Sequence, residues 1–150
     1  VKNMSLKETL NNDIKTAMKA KDKETLAVLR MIKTAVQAAE IDKKEELNAE
    51  EELTILAREA KQRRESLAEF VKAGRDELVA KTEAEIEIVE RYLPKQLSVE
   101  EVKEVIATVA EKIGATTQKE FGKLMGAVMQ ELKGKADGNV IKEQVKAHLE

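Results

Sequence analysis

Four lysines, Lys123, Lys133, Lys135 and Lys142, are interleaved with four of the chain's six glycines, Gly122, Gly126, Gly134 and Gly138, in the stretch FGKLMGAVMQELKGKADGNVIKEQV. Ammonium groups beside a glycine-shaped turn are what a phosphate or carboxylate would meet, because the lysines supply charge and an unblocked backbone supplies amide donors. Within KGKADG, Gly134 reads as the stop of one helix, Asp137 as the cap of the next and Gly138 as part of its first turn. The reading is a tight turn with exposed amides and two lysines, Lys133 and Lys135, into which an anion fits. Gly122 and Gly126 stand four apart inside a helix, where each glycine costs about 1 kcal/mol relative to alanine. That cost predicts a compensating close approach of a neighbouring helix, since the membrane-dimer use of the spacing needs an apolar span that the sequence lacks. The turn is not a nucleoside-triphosphate loop of the type G-x-x-x-x-G-K-[ST]: Lys135 is followed by Ala136, and no glycine precedes Gly134 at the required distance.

Covalent chemistry is poorly provided for. Nucleophilic catalysis needs an activated thiol or hydroxyl, but cysteine is absent and the serines are Ser5, Ser66 and Ser98, of which Ser5 and Ser98 sit where helices begin. The one histidine, His148, falls in a last helical turn, where a solvated imidazole suits the helix dipole. A single histidine excludes the paired Glu-x-x-His sets of carboxylate-bridged di-metal bundles, so neither a metal nor a cofactor is expected. Glu50, Glu51 and Glu52 crowd a first helical turn, and Glu59 with Arg63 and Glu87 with Arg91 are spaced as solvated surface pairs. Lys61, Arg63 and Arg64 do not share one helical face and are flanked by Glu59 and Glu65, which leaves only a weak claim on nucleic acid. Met18, Met31, Met125 and Met129 fall on or beside apolar stripes and read as core filler.

The elements that must position these residues announce themselves by their caps. Ser5 with Glu8 boxes a first helix, with Leu6, Leu10, Ile14, Ala17 and Met18 on one face. Asp22 caps a second, lined by Leu26, Leu29, Met31, Ile32, Val36 and Ala39; Asn48 with Glu51 opens a third, lined by Leu53, Leu56, Ala60, Leu67 and Phe70 and closed by Gly74. A fourth runs to Tyr92. Pro94 cannot continue a helix and biases its predecessor toward extended backbone, so the domain boundary is placed there. Beyond it Ser98 with Glu101 boxes a helix that ends at Gly114, Thr117 with Glu120 boxes the next, and Asp137 caps the last. The predicted class is all-α: an N-terminal long-helix bundle or hairpin over residues 1–95, then a compact three-helix domain over 96–150.

Composition sets the outer bounds. Charged residues make up 37% and aromatics 2% of 150 residues, a profile of amphipathic helices rather than sheet. The formal net charge of −2 gives the whole surface no pull on DNA, RNA or an anionic membrane, so any such contact must be local. The lack of cysteine, of a membrane-length apolar span and of a signal-peptide pattern reads as cytoplasmic. The opening VKNMSLKETL leaves open whether Val1 or Met4 is the natural start.

GKLMGAVMQELKGKADGNVIKEQV resembles the signature of the GatB/YqeY family, the helical tail shared by the B subunit of tRNA-dependent amidotransferase and by small stand-alone proteins. LRMIKTA, REAKQRRESLAEF and GRDELVAKTEAEIEIVERYLPKQLS are similar to the stand-alone members, so the resemblance covers nearly the whole chain. The catalytic cradle that precedes the tail in the amidotransferase subunit has no counterpart. The resemblance implies a tail that holds tRNA, under a family label of carbon–nitrogen ligase with glutamine as amido-N-donor. The residues do not support catalysis by this chain alone. The expectation is therefore a stand-alone tRNA-associated helical binding module, with Lys123, Lys133, Lys135 and Lys142 as RNA contacts and an aminoacyl-tRNA-handling enzyme as a candidate partner. The alternative is a protein-interaction or adaptor module working through the N-terminal helices. With Phe70, Tyr92 and Phe121 the only aromatics, RNA recognition would be by shape and phosphate rather than base stacking.

Overall fold

The computed structural model describes residues 5–150; Val1 and Met4, the two candidate starts, lie outside them. The described residues are all-helical, in agreement with the sequence-based class. They divide into two compact units between Leu93 and Pro94.

The first unit holds α1 (Leu6–Lys19), α2 (Lys23–Lys43), α3 (Ala49–Lys72) and α4 (Asp76–Glu90). Each of the first three starts at the named cap: the Glu8 amide donates to Ser5 Oγ at 3.2 Å, the Thr25 amide to Asp22 Oδ1 at 3.1 Å, and Asn48 with Glu51 completes a reciprocal capping box. Gly74, at φ +68°, ends α3 in a conformation that side-chain-bearing residues avoid. Leu10, Val28, Leu29, Ile32, Val36, Leu56, Ala60 and Val89 form the centre of the core. α4 stops at Glu90, short of Tyr92, for a backbone reason. The α-helical donor to the Glu90 carbonyl would be the amide of residue 94, which proline lacks, so Leu93 donates to it instead at 3.2 Å in a tighter turn.

Two expectations for this unit fail. Met18 and Met31 are not core residues but more than half exposed, because Ala17 and Ile32 beside them take the inward positions. Glu59 and Arg63 are not a solvated pair. Arg63 lies on the same stripe as Leu56 and Ala60, and its side chain is 8% exposed, with Glu59 Oε1 at 3.0 Å and Glu85 Oε1 of α4 at 3.6 Å. Charge type suggested a surface position; the 3.6-residue period put the guanidinium inside. Glu87 and Arg91 do form an exposed pair, at 3.8 Å.

The second unit holds α5 (Val99–Ile113), α6 (Phe121–Leu132) and α7 (Gly138–His148) around Val102, Ile106, Leu124, Val128, Leu132, Ile141 and Val145. Ser98 and Glu101 form a complete capping box, and Gly114 ends α5 at φ +70°. Thr117 does not cap α6: it opens a 3₁₀ turn over Gln118–Glu120, and Glu120 reaches back to the Thr116 amide at 3.3 Å and the Thr117 hydroxyl at 3.2 Å. Met125 and Met129 pack against this core.

Candidate nucleic-acid interface

Gly134 sits at φ +78° immediately after Lys133, the residue that caps α6, and is buried. Its carbonyl accepts the side-chain amide of Gln96 at 2.7 Å, and the same amide donates to the Pro94 carbonyl at 2.9 Å. One residue on, the Leu97 amide donates to the Lys135 carbonyl at 2.8 Å. The segment Pro94–Leu97 is thus clasped to the glycine turn by two hydrogen bonds, while Leu97 packs against the core. Nothing in the spacing of Gln96 and Gly134, 38 residues apart, announces this clasp.

The clasp fixes where the candidate lysines stand. Lys133 and Lys135 flank Gly134 on the turn, Lys135 exposed. Lys123 is exposed in the first turn of α6, ten residues from Lys133 and therefore about 15 Å along the helix axis. Lys142 is exposed one turn into α7, beside the inward Ile141. Lys133 and Lys135 share one structural feature, whereas Lys123 stands at the other end of α6.

The amides expected to be exposed on this turn are largely used within it. Lys133 N–H donates to the Met129 carbonyl at 3.0 Å, Lys135 N–H to the Leu132 carbonyl at 2.9 Å, and Asn139 N–H to Asp137 Oδ1 at 2.8 Å. The Asp137 carboxylate therefore occupies the positive end of α7 that an anion would have taken. What the turn offers a ligand is side chains.

The packing role assigned to Gly122 and Gly126 is overturned. Both are exposed, and a Cβ built on either meets nothing within 4 Å. At 100° per residue they point away from Leu124 and Val128, the buried stripe of the same helix. Gly138 begins α7 without a left-handed backbone, and there too a Cβ meets open space.

No motif or spacing announces a cleft in this unit of about 500 Å³, lined by Lys95, Leu97, Val105, Gln130, Glu131, Leu132 and Lys135. It brings Lys95 to the same feature as Lys135. In the first unit a second cleft of about 390 Å³ contains Asp13, Asp22, Arg91 and Tyr92. There the Tyr92 hydroxyl donates to Asp13, and burial, that hydrogen bond and the aspartate's charge push the phenol's pKa up. Asp22 is held below the usual carboxylate range by donation from the Thr25 hydroxyl and amide.

No catalytic constellation gathers at these places. Ser5 and Ser98 are caps, Ser66 is exposed in α3, and His148 is exposed in the last turn of α7. Among the described residues no group of three or more histidine, cysteine or carboxylate side chains could hold a metal ion, and no helix is long and apolar enough to cross a membrane.

Comparison with known proteins gives this geometry a family. A curated relative from Kluyveromyces lactis, named "Altered inheritance of mitochondria protein 41, mitochondrial", is 38% identical over 84 residues, which cover 55% of this chain and 45% of that protein. The protein of the same name from Candida glabrata is 28% identical over 141 residues, 93% of this chain and 75% of that protein. That from Lachancea thermotolerans is 34% identical over 102 residues, 67% and 54% of the two chains. The chain thus spans about half the length of some of these relatives and three quarters of another. Their names are those of mitochondrial proteins, which overturns the cytoplasmic placement. The physical reason is simple: the absence of cysteine and of a membrane span describes a disulfide-free helical chain, not the compartment that holds it. The model of the family described as "Yqey-like protein" matches residues 7–149, across both units, and the chain belongs to that family.

Proposed function

We propose that this protein is a tRNA-binding adaptor with no catalysis of its own, gripping the backbone of a folded RNA through its second unit. The observation that carries the reading is the clasped turn: Gly134 at φ +78°, held by Gln96, sets Lys133 and Lys135 on either side of a rigid point. Lysines on a fixed turn lose less freedom on meeting a phosphate than lysines on a mobile loop, which favours affinity. The kinship of the family with the amidotransferase tail supports RNA as the polyanion. The formal net charge of −2 requires the attraction to be local, and a cationic turn is a local source. The family's carbon–nitrogen ligase label finds no nucleophile, base and anion hole assembled among the described residues. Any part in amide transfer would be to present tRNA to an enzyme that performs the chemistry.

The test is tRNA affinity across a salt series for wild type and for Lys133→Glu/Lys135→Glu, with thermal melts of both. The expected result is weaker binding by the variant and a log–log salt slope flatter by roughly one to two units, since each neutralised phosphate releases condensed counterion. Equal affinities at every salt, with equal melts, would remove the turn from the interface. A second reading has its own observation. Ile41 on α2 is 75% exposed and lies in a shallow cleft rimmed by Gln37, Glu40, Glu45 and Glu46, an apolar side chain in a polar frame that a protein partner would cover. Loss of a co-purifying protein on Ile41→Lys, with tRNA binding absent in wild type, would move that reading to first place.

A further inference from the structure

The cleft beside the clasped turn combines groups that no single charged patch supplies. Lys95 and Lys135, both exposed, stand on its lining; the half-buried Leu97 and Val105 give it an apolar wall, with the core residue Leu132 behind them; Gln130 and Glu131, on the last turn of α6, add an amide and a carboxylate. A pure phosphate site would have no use for Glu131 or for apolar walls, and a docking groove for an apolar helix would have no use for two lysines. Cation, apolar surface and a hydrogen-bonding pair together match the parts of a nucleotide. We propose that the cleft holds one unpaired nucleotide of the RNA. Lys95 and Lys135 meet its phosphate, Leu97 and Val105 pack beneath sugar and base, and Gln130 with Glu131 read the base edge. The carboxylate of Glu131 accepts N–H only, so the site favours bases with an exocyclic amino group over uracil, whose Watson–Crick edge has one N–H between two carbonyls. Gln96 touches no ligand in this scheme. It is a positioning residue that holds the Lys95 segment against the Lys135 turn.

This inference rests on the RNA-binding reading for its ligand but on different residues for its test. The probes are a tRNA transcript, guanosine and uridine 5′-monophosphates, and a poly-glutamate peptide, each added to the full chain. Lys95→Glu is compared with Lys103→Glu, an equal charge reversal on α5 outside the cleft, with circular dichroism on both. The expected result is that Lys95→Glu weakens tRNA binding about tenfold more than Lys103→Glu and flattens the log–log salt slope by about one unit. Glu131→Gln should leave that slope unchanged and erase the preference for guanosine over uridine monophosphate, read by shifts of the Gln130 and Glu131 amides. Gln96→Ala should weaken affinity without altering the slope, because no charge is lost. If tRNA binds and responds to Lys133→Glu/Lys135→Glu but not to Lys95→Glu, the cleft proposal is overturned while the RNA reading stands. If tRNA does not bind but guanosine monophosphate shifts the cleft amides, the RNA reading falls and the nucleotide cleft survives. Silence with both probes, or poly-glutamate binding as tightly as tRNA, overturns the proposal, the latter in favour of an acidic protein partner.

Discussion

At the scale of single residues the most telling position is Arg63. Its guanidinium is buried against Glu59 and Glu85, and its Nε has no hydrogen-bond partner, so the ion pairing is close but incompletely satisfied. Desolvating such groups costs about what their attraction returns, whereas removing one partner leaves the others stranded. Arg63→Ala should therefore lower the stability of the first unit by about 3 kcal/mol, measurable by urea titration with Tyr92 fluorescence as its reporter. A combined Glu59→Leu, Arg63→Met, Glu85→Leu variant should recover most of that loss. Failure of Arg63→Ala to shift the midpoint would show that water reaches the cluster. Glu101 makes a second prediction, one of sign. Donation from the Ser98 amide, then from the Ser98 side chain, holds its carboxyl below the ordinary range. A lowered folded-state pKa means stability present at neutral pH and lost as pH falls through the carboxylate range. Glu101→Gln keeps an acceptor for the cap but cannot titrate, so the difference in melting temperature between pH 7 and pH 3 should shrink in the variant.

At the scale of elements, α6 and its turn separate two uses of glycine. Gly126 has a helical backbone and open space where a Cβ would go, so Gly126→Ala should stabilise the second unit by about 1 kcal/mol through helix propensity. Gly134 is the opposite case. Its positive φ and buried setting predict that Gly134→Ala destabilises by about 1 to 2 kcal/mol, the price of a left-handed alanine. Thermal melts of the two variants should move in opposite directions; a drop for Gly126→Ala would mean that something outside this unit packs against that face. The turn also depends on Gln96. Removing its side-chain amide leaves the buried Gly134 carbonyl without that donor, a loss of about 1 to 3 kcal/mol.

At the scale of the whole molecule the issue is whether RNA answers to net charge or to local arrangement. Charge reversal at two lysines makes an already negative chain more negative, so weaker binding alone does not locate the site. An equal reversal on the first unit, Lys19→Glu with Lys72→Glu, changes the net charge by the same amount at two exposed helix ends. Because charges more than about 8 Å from a phosphate are screened at physiological ionic strength, this control should leave tRNA affinity within about threefold of wild type, while Lys133→Glu/Lys135→Glu does not. Matching losses in the two variants would make the effect global and withdraw the turn as the contact.

The all-helical class and most helix boundaries are legible in the sequence, because these are set by interactions between neighbours: Ser5, Asp22, Asn48 and Ser98 bond to amides three residues away, and Gly74, Gly114 and Gly134 supply a backbone conformation locally. It also carried the family, through the wording from Leu29 to Val145. What it could not determine is which polar residues leave the surface and which glycines have neighbours. Arg63 is buried because α4 covers its face with Glu85, and Gly122 and Gly126 are open because no helix of their unit covers theirs. The cleft is of the same kind: Lys95 and Lys135 become neighbours only when Gln96 and Leu97 bond to a turn some 38 residues on. Such contacts depend on where the chain returns in space, and no local period, cap or charge pattern encodes that return.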